Sequence, residues 1–516
     1  MYCMRLNLGL IPSRPETKAL QRTFDMKEIE VMQTPEPRPL SRPRPKQPAE
    51  QPAKASDIID EAHIEGLLSS SRSADKSEIR EILDRAKELH GLTHEEVARL
   101  LMVEDPDLLA EMGHAARWVK EEIYGRRLVF FAPLYMSNEC VNNCLYCAFR
   151  RDNKEVPRAT LTMDQIREEV EACERIGQKR LLLLVGEFGP LCQIVDYLEQ
   201  AIATVYATKK GPDEVRRVNI NVPALDVEHF KRLKAAGIGT YQLFQETYRR
   251  STFERAHPGG PKSRYDYHLQ AMDRAQLGGV DDVGIGALLG LDDYRFEVLA
   301  MVMHAEHLDR TFGTGPHTIS VPRINPAENA PWAMNPPHPL TDEEFKKVVT
   351  ILRLAVPYTG LILSTRENPS LRREVFALGI SQLSAGSRTQ PGGYKADDPE
   401  ELAQFSLGDH RPLDEVLREV ASLGYIPSFC TSCYRSGRTG MDFMDLAKPG
   451  LIKQYCLPNA LSTFAEYLED YASPETKEIG IKAIEEHIKG IDSEALRRTS
   501  RALVDRVRKG ERDVMV

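Results

Sequence analysis

Cys140-Val-Asn-Asn-Cys144-Leu-Tyr146-Cys147 puts three thiols on one short loop. The loop follows directly on Leu128–Tyr135, the first of eight short apolar runs. The others are Arg180–Gly186, Val218–Ala224, Thr240–Glu246, Asp282–Leu289, His317–Ile324, Thr359–Arg366 and Ile380–Ser387. Each is followed by a stretch with helical spacing, as in Thr162–Ile176, Val227–Ala236 and Asp342–Leu354. Runs that are apolar throughout suit strands buried on both faces, as in parallel sheets. Eight β/α units in about 300 residues predict an α/β fold, a (β/α)8 TIM-type barrel with functional groups at the strand ends. A doubly wound open sheet is the alternative for the same alternation.

The chain outside the barrel divides by composition. Residues 1–54 are expected to be a disordered head, with seven prolines between Pro35 and Pro52. Residues 55–125 read as N-terminal helices, with a capping-box spacing at Thr93 and Glu96 ahead of the apolar Val97. The barrel takes 126–424. Residues 425–516 begin with a cysteine-rich loop and continue as helices near 458–471, 475–489 and 493–508.

The 516 residues carry 68 Lys and Arg against 77 Asp and Glu, a formal net charge of -9. This balance offers no footprint for nucleic acid or an anionic membrane. No apolar run approaches the ~18 residues of a membrane span. Nine cysteines, an odd number in a long chain, disfavour a disulfide-stapled secreted scaffold. A cytoplasmic location is the expectation.

Six of the nine cysteines form two groups. Three thiolates on the first loop can hold three irons of a 4Fe–4S cube and leave the fourth iron open. A structural zinc site would want a fourth protein ligand, and none lies close in sequence. The second group is Cys430-Thr-Ser-Cys433 followed, after 22 residues, by Cys456. A second Fe–S cluster, half a zinc ribbon or a redox dithiol fits that spacing. His317, at the start of the sixth run, would face the mouth opposite the first loop. A neutral imidazole there is a good iron ligand, and a strand-entry histidine bonded to backbone is the alternative. Arg323 and Arg366, at the far ends of the sixth and seventh runs, can grip a carboxylate bidentately or form rim salt bridges. Ser364 and Tyr248 are weaker candidates.

The C-x3-C-x2-C spacing with an aromatic residue before the last cysteine resembles the radical S-adenosylmethionine (SAM) superfamily. With the C-terminal C-x2-C-x22-C, the chain resembles the HydG family, the tyrosine lyases of FeFe-hydrogenase maturation. Cys433-Tyr-Arg-Ser-Gly-Arg-Thr-Gly440, Gln245-Glu-Thr-Tyr248, Gly315-Pro-His-Thr-Ile-Ser-Val-Pro-Arg323 and Leu363-Ser-Thr-Arg-Glu367 carry the likeness over residues 75–516. It implies SAM bound at the first cluster, near Tyr146 and the strand-end pair Gly186 and Glu187. It implies cleavage of L-tyrosine at Cα–Cβ to p-cresol and dehydroglycine. The fragment would become carbon monoxide and cyanide at a second 4Fe–4S cluster on Cys430, Cys433 and Cys456. His317 would hold a fifth iron there, and cysteine would carry the iron product. A reductant such as ferredoxin or flavodoxin and a hydrogenase maturation scaffold protein are the implied partners.

Some positions depart from that pattern. Leu184 stands where the HydG family has an acidic residue, and Arg388-Thr-Gln-Pro-Gly-Gly-Tyr394 resembles ThiH, the thiazole-forming tyrosine lyase. Asn325 replaces an arginine usual to both. A ThiH-like 2-iminoacetate synthase, or a paralogue with another substrate, is therefore the second reading. A non-catalytic Fe–S electron carrier or scaffold is the reading of another class.

Overall fold

The computed structural model describes residues 49–71, 75–211, 213–396 and 403–516. The eight apolar runs become β1 (Arg127–Ser137), β2 (Arg180–Val185), β3 (Arg217–Asn221), β4 (Tyr241–Gln242), β5 (Val283–Gly286), β6 (Thr318–Ser320), β7 (Gly360–Leu363) and β8 (Ile380–Ser384). Successive strands pair in parallel. β8 then pairs back onto β1, with Val129, Phe130 and Phe131 opposite Gln382, Leu383 and Ser384. The sheet is a closed barrel, not an open doubly wound one. Helices such as Met163–Arg175, Tyr294–Phe312 and Asp342–Ala355 cover its outer face.

The ladders end earlier than the apolar runs. After Gln242 the chain still donates from Leu243 and Gln245 to Gly284 and Gly286, at 3.0 and 2.9 Å. It then turns at Glu246, whose φ is +69°. Residues at this end leave the sheet to line cavities, which is where a barrel carries its function.

A ninth strand, β9 (Ile426–Ser428), was not expected. Three residues including Pro427 give no period, and a proline is tolerated because the strand lies at an edge. Val129 pairs with Gln382 on one side and Ser428 on the other. β9 therefore lies on the β2 side of β1, below Ala132, where pairing with β2 begins. It delivers the following cysteine loop to the N-terminal mouth of the barrel.

Among the described residues five helices precede the barrel: Ala55–Ile58, Glu61–Ser70, Lys76–Ala86, His94–Leu101 and Pro106–Tyr124. The capping box at Thr93 is formed: Glu96 N–H donates to Thr93 Oγ1 at 3.3 Å, and Thr93 N–H to Glu96 Oε2 at 2.8 Å. Of the Pro-rich head, residues 1–48 lie outside the described residues. Ala53 is already docked, its N–H donating to Asp273 Oδ2 at 2.8 Å. After β9 the chain forms the long helix Lys453–Asp470, flanked by Pro474–Lys489 and Glu494–Arg508. Buried Arg216 clamps the long helix to the barrel through Glu466, at 3.1 and 2.5 Å. Among the described residues no helix is long and apolar enough to cross a membrane.

Candidate active site

Two adjoining cavities open at the C-terminal ends of the strands. The first, ≈ 140 Å³, is lined by Cys140, Cys144 and Cys147 together with Gly186, Glu187 and Lys262. All three thiols are free. The loop that carries them is fixed by hydrogen bonds to the neighbouring strand end. Val141 N–H donates to Glu187 O at 2.8 Å, and Asn142 Nδ2 donates to Glu187 Oε2 at 2.7 Å. Asn142 Oδ1 accepts from Lys262 N–H at 2.9 Å. At Gly186 a Cβ would meet Glu139 O at 2.1 Å, so only glycine lets strand and loop approach this closely. Burial pushes the Cys144 thiol well up. Its proton is held until a metal replaces it. Tyr146 lines the same cavity, its hydroxyl 2.7 Å from His257 Nε2.

The second cavity, ≈ 160 Å³, shares Tyr146, Cys147 and Glu246 with the first. Glu246 is held by the Lys262 ammonium at 2.6 Å. Arg366 and Ser364 line the second cavity. The Arg366 guanidinium lies over the Phe405 ring, 3.3 Å from its centroid. Nη1 donates to Arg323 O at 3.4 Å, and among the described residues no carboxylate is within ion-pair distance. Burial pushes its pKa down to about 10, so it remains a cation at neutral pH. Ser364 Oγ accepts from Arg366 N–H at 3.4 Å.

Two expected residues stand elsewhere. Arg323 lines neither cavity: Nε donates to Glu367 Oε1 at 3.0 Å and Nη1 to Asp342 at 2.9 Å. It forms the rim salt bridge that was the alternative reading. Tyr248 is wholly buried behind β4, its hydroxyl 2.9 Å from His304 Nδ1 and its N–H donating to Glu297. Its position two residues after Glu246 in sequence does not bring its ring to the cavity.

A third cavity, ≈ 50 Å³, lies at the N-terminal mouth and is lined by Cys430, Cys433, Cys456 and His317. β9 carries Cys430 to this end, and the first turns of Lys453–Asp470 bring Cys456 across from the other side. Burial pushes the Cys456 thiol up to about 12 and His317 down to about 4, so the imidazole is neutral. His317 packs on Phe443 with 4.5 Å between ring centroids. Its Nδ1 is 3.8 Å from Asp282 and makes no hydrogen bond. Among the described residues no three such side chains converge on a single metal ion. A cube spreads its ligands over separate irons.

The two ends communicate through the strands. Val129, Arg180, Gly360 and Gln382 line the lower cavity, while Phe131, Leu182, Ile362 and Ser384 line the second upper one. Each pair is two residues apart on one strand, so the cavities are stacked about 6.6 Å apart along the barrel.

The Radical SAM superfamily model matches residues 134–303, and the Biotin and Thiamin Synthesis associated domain matches 320–426. The chain is 31% identical to the 2-iminoacetate synthase of Salmonella typhimurium over 346 residues, 67% of this chain and 89% of that protein. A crystal structure of HydG, a maturase of the FeFe-hydrogenase, matches with a TM-score of 0.86 and 51% identity, over 89% of this chain and 100% of that one. The chain belongs to the HydG family of radical SAM enzymes. HydG from Carboxydothermus hydrogenoformans agrees at 38% identity and a TM-score of 0.77, over 88% of this chain and 100% of that one.

A radical SAM domain implies a 4Fe–4S cluster and SAM. Three free thiols around a cavity, beside a strand end whose glycine lets the cysteine loop pack against it, fit that pair. In this HydG-family chain several residues of the site escaped the sequence. Asn142 lies inside the cysteine motif, but only the fold shows it bridging to Glu187 and Lys262. Glu246 and Lys262 come from separate loops. Arg127, Arg180 and Arg217 line the lower cavity beside His317. All four open or immediately precede a barrel strand, and that shared register was the signal available.

Proposed function

We propose that this protein cleaves L-tyrosine at Cα–Cβ to p-cresol and dehydroglycine, and converts the latter to carbon monoxide and cyanide for assembly of the FeFe-hydrogenase cofactor. The observation that supports this most is the stack of thiol-bearing sites at the two ends of one barrel, with Arg366 in the wall of the upper cavity that shares Cys147 with the first site. When bound on Cys140, Cys144 and Cys147, a 4Fe–4S cluster with SAM supplies a hydrogen-abstracting radical after one-electron reduction. Arg366, pinned on Phe405, presents a guanidinium to the tyrosine carboxylate in the cavity that shares Cys147 with the first site. Phe131, Leu182 and Phe244 offer an apolar wall for the phenol ring. Tyr146 and the Lys262–Glu246 pair stand at the junction of the two cavities, and Glu246 lines both.

Cys430, Cys433, Cys456 and neutral His317 would hold a second 4Fe–4S cluster with a fifth iron, and a free cysteine would carry the iron product away. A ferredoxin or flavodoxin would supply electrons, and a hydrogenase maturation scaffold protein would receive the product. A 2-iminoacetate synthase alone would leave the lower thiols and His317 without a role. A cluster carrier would leave both upper cavities without one. Reconstituted protein given dithionite, SAM and tyrosine should form p-cresol, carbon monoxide and cyanide together. Formation of p-cresol with neither diatomic would return the assignment to 2-iminoacetate synthesis.

A further inference from the structure

We propose that Gln404, oriented by Tyr135, sets the reduction potential of the first cluster through a hydrogen bond to the Cys147 sulfur. The inference rests on the cluster that a radical SAM domain implies and is independent of the substrate proposed above. Gln404 Nε2 lies 3.4 Å from Cys147 Sγ and donates to it. Its Oε1 accepts from the Tyr135 hydroxyl at 2.8 Å. The two contacts fix which end of the amide faces the metal site. A thiolate only accepts, so the nitrogen must face the sulfur and the oxygen must face a donor. Tyr135 is 5% exposed and burial raises its pKa, so the hydroxyl keeps the proton it donates. Its ring stands edge-on to Phe149, with 6.1 Å between centroids.

A purely structural role for the Gln404 side chain is already filled by its backbone. Gln404 N–H donates to Thr389 O at 2.9 Å, and Ala148 N–H donates to Gln404 O at 3.3 Å. These bonds hold the segment against the cysteine loop whatever the side chain is. The Cys140 sulfur is served differently. Asn142 Nδ2 lies 3.7 Å from it, but that amide is committed to Glu187 Oε2 at 2.7 Å. Gln404 and Tyr135 both line both upper cavities, so the pair stands in the wall that the two cavities share. The next residue, Phe405, carries the Arg366 guanidinium. One short segment thus meets a cluster ligand with one residue and the cation of the second cavity with the next. Reduction adds a negative charge that spreads onto the sulfurs. An N–H aimed at a sulfur stabilises the reduced state more than the oxidised one and raises the potential. Without Tyr135 the amide is free to turn, and its N–H leaves the sulfur. Both are positioning residues, and together they set how strong a reductant must be to start SAM cleavage.

Full-length protein is loaded with clusters, and iron is counted before each titration. Midpoints are read by EPR as the protein is reduced in steps without SAM. The first cluster's signal is identified in a separate sample as the one that added SAM perturbs. Gln404→Leu should lower the reduced-to-oxidised ratio of that cluster at fixed potential about ten-fold, a midpoint lower by about 59 mV. Tyr135→Phe leaves the amide in place without its orienter and should lower the ratio about three-fold. The double variant should match Gln404→Leu alone, because Tyr135 acts only through the amide. A wild-type midpoint in an iron-replete Gln404→Leu protein overturns the proposal. A wild-type midpoint in Tyr135→Phe, or effects that simply add in the double variant, overturns the part assigned to Tyr135. If Gln404→Leu does not hold its iron, Gln404→Asn takes its place. Its shorter chain keeps the amide but withdraws it from the sulfur, so the same fall is expected, and a wild-type midpoint overturns the proposal. A wild type that cleaves SAM but never tyrosine would sink the function proposed above and leave these midpoints to judge Gln404.

Discussion

Asn142 Nδ2 donates to Glu187 Oε2 at 2.7 Å, and this bond ties the cysteine loop to the end of the second strand. The carboxylate is mostly buried, and burial raises its pKa while the amide opposes that shift. Losing a hydrogen bond to a charged group costs about 1.5–3 kcal/mol. Asn142→Ala should therefore weaken SAM binding about ten-fold or more while the first cluster keeps its iron. Equilibrium dialysis with SAM, beside an iron count, checks this. Cys144→Ala, by contrast, should abolish 5′-deoxyadenosine formation altogether, because two thiolates hold the cube poorly.

Arg366 and Arg323 should separate cleanly. Arg366→Leu removes the cavity's unpaired guanidinium, so KM for tyrosine should rise about ten-fold or more, for about 1.5–3 kcal/mol of lost pairing. Arg323→Leu leaves nearly buried Glu367 without its cation. Its effect should be a lower melting temperature with KM near wild type. Steady-state kinetics and thermal melts on both variants decide between them. A raised KM in Arg323→Leu alone would exchange their roles.

The lower site should be separable from tyrosine cleavage. Replacing Cys430 and Cys433 together by alanine should spare p-cresol and remove the infrared bands of iron-bound carbon monoxide and cyanide. His317→Ala should remove the same bands while the second cube's iron and sulfide stay near wild type. Loss of p-cresol in a folded double-cysteine variant would mean that the stacked cavities do not act in series.

Glu297 makes a prediction about pH. It accepts from Thr247 Oγ1 and Tyr248 N–H, and anchors the turn that follows Glu246. Burial raises its pKa from 4.5 to about 8. Between those values the folded protein keeps a proton that the unfolded chain has lost, so this group's contribution to stability falls as pH rises from about 4.5 to 8. Glu297→Gln should flatten that slope and raise the melting temperature at pH 8 relative to pH 5. Parallel pH-dependent slopes for wild type and variant would show that the carboxyl is ionised in the fold.

Much of this architecture is local in origin. A strand–helix alternation repeated eight times is written in the spacing of apolar residues, and a three-cysteine loop is written in eight consecutive positions. The Thr93 capping box is equally local. Such features depend on neighbours in the chain, and a sequence displays those directly. β9 was hidden because three residues with a proline carry no period, and only its pairing with β1 gives it shape.

The sequence by itself determined the eight β/α units, the two cysteine triads and the strand end at which His317 lies; pairing of β8 onto β1 decided that the sheet closes into a barrel. The tertiary structure decided which candidates share a cavity. Arg323 and Arg366 are alike by position, yet Glu367 and Asp342 are brought to one and not to the other. Tyr248 is two residues from Glu246, yet the turn at Glu246 sends its ring to His304 and away from the cavity. Asn142 and Gln404 acquire their meaning only from residues 45 and 257 positions away, Glu187 and Cys147. Coulomb and hydrogen-bond energies depend on distance in space, and long-range pairing in a closed barrel sets those distances without leaving a local trace.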